Sequence, residues 1–382
     1  MKNWDVIIIG GGIIGLSLSL ELRKNGASVL VLERGEPGRE ASHAAGGMLV
    51  DCGLETPAAL QSLATASARM YPEFAHELEV ESGMKVDLRD QGTILSLSAR
   101  HIRHPGFASA GLYPADLSEL EPAMVKLTLD QEFDLKEHGL KPEEVATLNE
   151  IQDFYRLKER SVDPRALTAA AIKAAKHRGV DFSSGDPVTS VDPGDGRVLS
   201  VTTTKTTFHA PTVVNCAGAW SGQIQPHAFP TRPVKGQMLC LVATRMLLKH
   251  VIRTSEVYLI PRSDGRIIVG TTVEEAGFDK RTDVGAIQRL HRAAIALVPE
   301  LRNAKILEDW AGLRPGTPDA LPILGVTSMP GYYVATGHFR DGILLAPITA
   351  RVMAQVIEGG NPDHDLSAFS PARFTTSLLQ EG

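Results

Sequence analysis

Residues 5–15 read Asp-Val-Ile-Ile-Ile-Gly-Gly-Gly-Ile-Ile-Gly, or DVIIIGGGIIG in one-letter code. The β-branched apolar run before the glycines predicts a buried parallel strand. Gly10, Gly12 and Gly15 then form GxGxxG. The first glycine permits a tight turn, the second lets a pyrophosphate approach the backbone, and the third lets a helix pack on the strand. Apolar residues at helical spacing follow as far as Asn25-Gly26, a helix stop. This order predicts a unit that binds a dinucleotide.

A second strand is predicted at residues 28–32, and Glu33 stands at its end. An acid about twenty residues after the glycines is placed to accept hydrogen bonds from a ribose diol. The phosphates would meet the unpaired N–H groups at the start of the helix. The pattern therefore predicts a Rossmann-type domain, although it does not separate FAD from NAD.

Composition narrows the class of protein. The chain has 382 residues, 43% of them hydrophobic and 22% charged, with a net charge of −6. This length suits two domains, and the absence of a basic excess argues against a nucleic-acid partner. No apolar run reaches the length of a membrane span, and the N-terminus enters a strand without a secretory segment. Cys52, Cys216 and Cys240 include no CxxC, which indicates neither a disulfide framework nor a metal site. A cytoplasmic protein without a metal is expected.

Two blocks of the chain depart from the strand–helix alternation. The second block contains three apolar runs, two of them joined by the turn sequence at 261–265, and predicts an antiparallel sheet with a helix at Gly285 to Leu297. The predicted fold class is α/β (α+β in two domains). The two domains are interleaved, because each is built from separate segments of the chain. The Rossmann-type cofactor domain takes residues 1–84, 154–224 and 310–370, and the antiparallel-sheet substrate domain takes residues 85–153 and 225–309.

Two further segments carry a family resemblance. Residues 39–49, REASHAAGGML, have small side chains that let backbone approach a flat ligand. They resemble a segment of flavoprotein amine oxidases. Residues 309–325 contain WAGLRPGTPD and LPILG, which are similar to the glycine oxidase pattern. The chain is identified as resembling the D-amino acid oxidase superfamily, most of all glycine oxidases, over about residues 4–370.

The resemblance implies FAD as the cofactor. It assigns cofactor contacts to Gly10, Gly12, Ile13, Ile14, Gly15, Glu33, Arg34, Ala41, Ser42, Gly46, Gly47, Met48, Val188, Ala217, Gly218, Trp220, Asp341, Gly342, Ile343, Leu344 and Leu345. Some relatives attach FAD covalently through a histidine in a setting similar to that of His43, so covalent and non-covalent binding both stay open.

Arg314 is implied by the resemblance to hold the substrate carboxylate. A guanidinium in an apolar segment flanked by glycine and proline also suits bidentate carboxylate binding on physical grounds. The alternative is a structural ion pair with Asp309 or Asp319.

Arg340 stands one residue before a helix start, where a cation is mildly unfavourable. The resemblance implies that it lies where flavin and substrate meet and supplements Arg314. A salt bridge to Asp341 or Glu308 is the alternative.

Tyr258 is implied to hydrogen-bond the same carboxylate, with a core position as its alternative. Val273 is expected to line the side-chain end of the pocket.

The implied activity is oxidation of glycine or small D-amino acids, with sarcosine left open. Hydride would pass from Cα to flavin N5 and dioxygen would reoxidise the flavin, giving a 2-oxo acid, ammonia and hydrogen peroxide. A homo-oligomer, dimer or tetramer, and a link to thiamine biosynthesis are also implied. The alternatives are a D-amino acid dehydrogenase with another electron acceptor and a non-catalytic flavin-holding subunit.

Overall fold

The computed structural model describes residues 3–51, 56–97, 113–114, 117–121, 124 and 153–374. Its α-helices are α1 Ile13–Lys24, α2 Ala41–Ala44, α3 Gln61–Ser82, α4 Leu117–Leu120, α5 Pro164–His177, α6 Val284–Leu297 and α7 Gly342–Ile357. Short 3₁₀ turns lie at Ala58–Leu60, Gly218–Gln223, Pro299–Asn303, Ser367–Phe369 and Pro371–Phe374. The strands are β1 Val6–Ile9, β2 Val29–Glu33, β3 Met48–Leu49, β4 Leu88–Arg89, β5 Thr93–Leu97, β6 Tyr113–Pro114, β7 Asp153–Leu157, β8 Arg160–Val162, β9 Asp181–Ser184, β10 Val188–Gly194, β11 Arg197–Thr203, β12 Thr207–Phe208, β13 Thr212–Asn215, β14 Arg232–Val242, β15 Val251–Arg253, β16 Tyr258–Pro261, β17 Arg266–Gly270, β18 Lys305–Gly316, β19 Ile323–Val326 and β20 Tyr332–Thr336.

The first large sheet has the strand order β19-β20-β13-β1-β2-β9. All its neighbours pair in parallel except β19, which pairs antiparallel with β20 at the edge. Val6 and Ile8 of β1 pack among the helices, whereas Ile7 and Ile9 pack against the small sheet β10-β11-β12 on the other face. Because both faces are covered, the strand is apolar throughout. The predicted Rossmann-type sheet is confirmed.

The second large sheet has the order β18-β14-β17-β16-β15-β5-β7-β6 and is antiparallel except for the pair β15–β5. Leu239 and Leu241 of β14 face a core that includes residues of α6. Met238 and Cys240 alternate to the opposite face, where Tyr258 packs beside them. The predicted antiparallel sheet and helix are confirmed, and one sheet face is left to form the wall of a site.

Two long helices contain a proline within their length. The carbonyl of Ile343, which Pro347 cannot bond, accepts a hydrogen bond from the hydroxyl of Tyr71. In α3 the carbonyl four residues before Pro72 accepts from Nη1 of Arg160 at 3.2 Å. Both helices continue through the proline because a side chain replaces the missing backbone donor.

The domain boundaries stay a prediction. Strand β18, Lys305–Gly316, pairs with β14 along its length and crosses the predicted boundary between residues 309 and 310. Cys52 and much of the block 85–153 lie outside the described residues. Within the described part of the chain, no helix is both long enough and apolar enough to span a membrane.

Candidate active site

A cavity of about 650 Å³ lies between the two large sheets. Its floor is the edge where parallel strands β1, β2, β13 and β20 end, the position at which open α/β sheets bind ligands. Its opposite wall comes from β14, β16, β17 and β18 of the antiparallel sheet. The following predicted residues line it: Gly10, Gly12, Ile13, Ile14, Glu33, Arg34, Ala41, Ser42, Gly46, Gly47, Met48, Val188, Ala217, Gly218, Trp220, Tyr258, Val273, Arg314, Arg340, Asp341, Gly342 and Ile343.

Gly15, Leu344 and Leu345 do not line the cavity. A Cβ on Gly15 would lie 2.1 Å from the carbonyl oxygen of Gly10, so this glycine serves the close packing of α1 on β1. The two leucines are buried at 1% exposure in the helical core, and the N–H of Leu345 is bonded to the carbonyl of Asp341. Their side chains stabilise α7 against its neighbours.

The start of α1 is built to receive an anion. Gly10 has φ +109°, and a Cβ there would lie 2.4 Å from the carbonyl oxygen of Cys216. The hydroxyl of Ser42 accepts a hydrogen bond from the N–H of Ile13 at 2.9 Å, which leaves its own proton for a ligand. Backbone donors and a hydroxyl therefore converge at the positive end of the helix.

Glu33 is buried beside this turn. Its Oε2 accepts from the N–H of Gly11 at 2.8 Å and its Oε1 from the N–H of Gly35 at 2.9 Å. These bonds fix the carboxylate at the end of β2, where each oxygen keeps a lone pair for a ribose hydroxyl.

The small-residue segment 41–48 is held by side chains that sequence reasoning missed. Arg262, only 2% exposed, donates to the carbonyl of Gly46 at 2.7 Å and to that of Val162 at 2.9 Å. Trp310 donates through its indole nitrogen to the carbonyl of Ala44 at 3.1 Å. In the sequence Arg262 stands in a turn motif, which gave no signal of a buried anchor. His43 does not line the cavity.

A stack of side chains borders the nucleotide end. The guanidinium of Arg34 lies 4.4 Å from the ring centroid of Trp220. Phe278, on the loop after β17, has its ring centroid 5.2 Å from that of Trp220. On the same loop Lys280 pairs with Glu40 at 3.0 Å. This loop of the antiparallel sheet thus contacts the cofactor domain beside the cavity. Phe278 was also missed.

Arg314 is fixed at the other end of the cavity. Its Nη1 donates to the carbonyls of Lys235 at 3.3 Å and Thr272 at 3.2 Å, and its Nη2 donates to the hydroxyl of Thr271 at 2.8 Å. No backbone carbonyl or carboxylate of the described residues accepts a hydrogen bond from Nε or from the second hydrogen of Nη2, and the Tyr258 hydroxyl lies within hydrogen-bonding range of the guanidinium. These two donors lie on the side-on edge of the guanidinium, a geometry that suits bidentate hydrogen bonding to a carboxylate. The pairing with Asp309 or Asp319 is not seen, since Asp319 pairs with Arg373.

Tyr258 lies beside Arg314, and its ring also packs against the apolar cluster that contains Met238 and Cys240. Its hydroxyl lies 3.7 Å from Sδ of Met238, and its ring leans over Gly270, where a Cβ would meet it at 2.6 Å. Burial raises the pKa of Tyr258 above its usual value, against the opposing influence of the Arg314 charge. Burial likewise lowers the pKa of Arg314, and the nearby Arg340 charge adds to that effect. The phenol is a neutral donor at ordinary pH.

Arg340 reaches the cavity from the turn before α7. Its guanidinium lies 5.1 Å from the ring centroid of Phe339, and no carboxylate of the described residues forms an ion pair with it. Glu308, the alternative partner, is bonded to Arg165 at 2.5 Å. The neighbouring His338 was missed; burial lowers its pKa to about 3, so the imidazole is neutral.

A family model described as DAO, FAD-dependent oxidoreductase, matches residues 5–356. The chain belongs to this family. It is 35% identical over 377 residues to the bifunctional protein ThiO/ThiG of Trichormus variabilis, covering 97% of this chain and 55% of that protein. It therefore spans only about half the length of that relative.

Two further relatives match along their length. The chain is 30% identical over 382 residues to a glycine oxidase of Pseudomonas putida, and the match covers 96% of this chain and 98% of that protein. The crystal structure of glycine oxidase from Geobacillus kaustophilus superposes with a TM-score of 0.86 at 28% identity, over 98% of this chain and 99% of that one. The fold and the predicted family are confirmed.

The chain is thus an FAD-dependent oxidoreductase of the glycine oxidase type. The cavity fits the cofactor on structural grounds. Glu33 suits the ribose, and the start of α1 with Ser42 suits the pyrophosphate. Within the described ranges, no group of three or more His, Cys, Asp or Glu side chains could hold a metal ion.

Proposed function

We propose that this flavoenzyme oxidises glycine and small D-amino acids to 2-oxo acid and ammonia, with dioxygen as the electron acceptor and hydrogen peroxide as product. The observation that carries the proposal is the Arg314 edge, whose remaining N–H groups adjoin Tyr258 in a cavity that the nucleotide cradle also lines.

Each residue has a defined task in this proposal. Arg314 binds the substrate carboxylate through Nε and Nη2, and the Tyr258 hydroxyl donates a further hydrogen bond to it. Arg340 adds positive charge at the same end of the cavity, which favours an anionic ligand. FAD, when bound, would supply the acceptor for the two electrons that the substrate loses. The chain needs only to hold the carboxylate so that Cα is oriented, because positioning and electrostatics carry much of such catalysis.

A neutral amine is required at the start, since an ammonium group would withhold the electron pair that assists loss of hydride. Loss of hydride from Cα leaves an iminium ion, and water then replaces nitrogen to give the 2-oxo acid and ammonia. Dioxygen takes up the two electrons and two protons that the substrate has lost and becomes hydrogen peroxide. A role in supplying thiamine thiazole stays a prediction from the resemblance.

The test is flavin reduction by a panel of substrates. The FAD-loaded protein is mixed without air with glycine, sarcosine, D-alanine and D-proline, and bleaching of the flavin bands is followed. Admission of air should restore the bands within a turnover and release one peroxide per substrate oxidised. Bleaching with very slow return in air would point to a dehydrogenase. If no member of the panel bleaches the flavin, the proposal is refuted and a non-catalytic flavin-holding subunit is favoured instead.

A further inference from the structure

Gln237 of β14 is a buried amide behind the wall of the cavity. It is 1% exposed, and it does not line the cavity, although its neighbours Gly236 and Met238 do. An amide removed from water needs partners for its donors and its acceptor. Its Nε2 donates to Oε1 of Glu274 at 2.7 Å, and its Oε1 accepts from the N–H of Asp283 at 2.6 Å. Gln237 therefore joins the two ends of a single loop.

This loop, residues 271–283, connects the end of β17 to the start of α6. The backbone of Gln237 also bonds it. The N–H of Gln237 donates to Oγ1 of Thr272 at 2.9 Å, and the carbonyl accepts from the hydroxyl of Thr271 at 3.1 Å. At the other end, the carboxylate of Asp283 caps α6 by accepting from a backbone N–H of the first turn. One residue of β14 thus fixes where the loop leaves the cavity and where it enters the helix.

The same two threonines hold the guanidinium of Arg314. Nη2 donates to the hydroxyl of Thr271 at 2.8 Å, and Nη1 donates to the carbonyl of Thr272 at 3.2 Å. The strand contributes a longer bond, to the carbonyl of Lys235 at 3.3 Å. The guanidinium also lies against Gly236, where a Cβ would be 2.3 Å from Nη1. The orientation of Arg314 therefore depends on the position of the loop.

Packing alone does not require an amide at this position. Leu239 and Leu241 follow Gln237 on the same face of β14 and pack among apolar residues of α6. A buried amide is tolerated when its hydrogen bonds are made, and each bond then adds little net stability. The loop buries little apolar surface of its own, since Val273 is 54% exposed and Phe278 is 41% exposed. The hydrogen bonds of Gln237 therefore serve mainly to fix the loop.

We propose that Gln237 is a positioning residue for carboxylate binding, because it fixes the 271–283 loop so that Thr271 and Thr272 hold Arg314 ready for the ligand. This inference rests on the proposed function, in which Arg314 binds the substrate carboxylate. A guanidinium that is already ordered loses little freedom when the ligand arrives. Without Gln237 that ordering has to accompany binding, so the affinity for a carboxylate falls while FAD stays bound.

The first test is the variant Gln237→Met, which keeps the length of the side chain and removes both of its hydrogen bonds. Propionate is titrated into the FAD-loaded protein, and its dissociation constant is read from the shift of the flavin bands. The constant should rise about tenfold, the size expected when hydrogen bonds to a charged group are lost. A purely structural role would lower the melting temperature and leave the dissociation constant unchanged in the folded protein. An unchanged constant refutes the proposal.

A second test uses a matched pair at Glu274, whose side chain is 34% exposed, so that changes there endanger folding less. Glu274→Gln and Glu274→Ala both remove the charge, but only Glu274→Gln keeps an acceptor for Nε2 of Gln237. Propionate should bind three- to tenfold more weakly to Glu274→Ala than to Glu274→Gln, by the loss of about one hydrogen bond. If Gln237→Met fails to fold, this pair decides. Equal dissociation constants in the pair refute the proposal.

A double-mutant cycle shows whether Gln237 acts through Arg314. The second-order rate constant of anaerobic flavin reduction is measured for wild type, Gln237→Met, Arg314→Met and the double variant, with the best amino acid of the panel. The double variant should be no slower than Arg314→Met, because the group that Gln237 positions is already absent. Two losses that multiply refute the proposal.

The binding data separate this inference from the proposed function, because they need no turnover. If Arg314→Met binds propionate as tightly as wild type does, both proposals are overturned. If Arg314→Met weakens binding and Gln237→Met does not, only the role of Gln237 is overturned. If both variants weaken binding and no amino acid bleaches the flavin, the role of Gln237 in carboxylate binding stands and the proposed oxidation fails.

Discussion

Replacement of Arg314 by methionine removes the guanidinium while keeping an unbranched side chain of similar reach. Three hydrogen bonds, to Lys235, Thr272 and Thr271, already fix the guanidinium before any ligand arrives. Little ordering entropy is then lost when a carboxylate binds. Two bonds to an ionised partner, each about 1.5–3 kcal/mol, amount to about 3–6 kcal/mol. This predicts a fall in kcat/KM of roughly 10²- to 10⁴-fold for Arg314→Met.

The variant Arg314→Lys separates charge from geometry. An ammonium group keeps the charge but cannot present two parallel N–H groups to a carboxylate. An intermediate loss is expected. The assay is anaerobic stopped-flow reduction of the flavin over a range of D-alanine concentrations, with FAD content read from absorbance. Arg314 lies away from the nucleotide cradle, so both variants should retain FAD. An Arg314→Met protein that is fully loaded and reduced at the wild-type second-order rate would refute the assigned role.

Four other predictions concern the cofactor cradle and Tyr258. Glu33→Gln should weaken FAD binding about tenfold, measured by quenching of FAD fluorescence, because the acceptor for the ribose loses its charge. Gly15→Ala should lower the melting temperature by several degrees, since its Cβ would lie 2.1 Å from a carbonyl oxygen; an unchanged melting curve would contradict that packing. Phe278→Ala should speed release of FAD two- to tenfold, at about 0.5–1.5 kcal/mol for the contact with Trp220, and an unaltered release rate would show that this loop does not retain the cofactor. Burial raises the pKa of Tyr258, so above about pH 10 its phenol ionises in the unfolded chain before it ionises in the folded protein. The stability that Tyr258 contributes is therefore complete below about pH 10 and falls as the pH rises further. The difference in melting temperature between wild type and Tyr258→Phe should therefore stay constant from about pH 7 to 9.5 and change only at higher pH.

The nucleotide half of the site was predictable because its chemistry is local. A strand, a glycine turn and a helix follow each other within 20 residues, and Gly10 and Glu33 meet the cavity where their order implied. The motif predicted that Gly15 serves the packing of the helix on the strand. It did not predict that Gly15 fails to line the cavity. The family resemblance implied cofactor contacts for Leu344 and Leu345, and the helical period turns the side chains of both into the core.

The residues that were missed act across the sheet or between domains. Arg253 ends β15 and pairs across the sheet with the predicted Tyr258, and the composition of that short strand does not indicate a buried charge. Arg262 stands in a motif typical of a surface turn, although its side chain passes inward to the carbonyl of Gly46. Phe278 finds Trp220 through a contact between distant segments.

The sequence by itself determined the class of cofactor domain, the antiparallel sheet and the arginine pair Arg314 and Arg340. Each of these features follows from residue spacing or from a short motif. Only the tertiary structure decided that Arg314, Tyr258 and Arg253 share one sheet face, which residues stay behind that face, and how the small-residue segment is held. Local backbone preferences act over a few residues. Strand register and the burial of charge depend on segments that meet only when the two sheets pack.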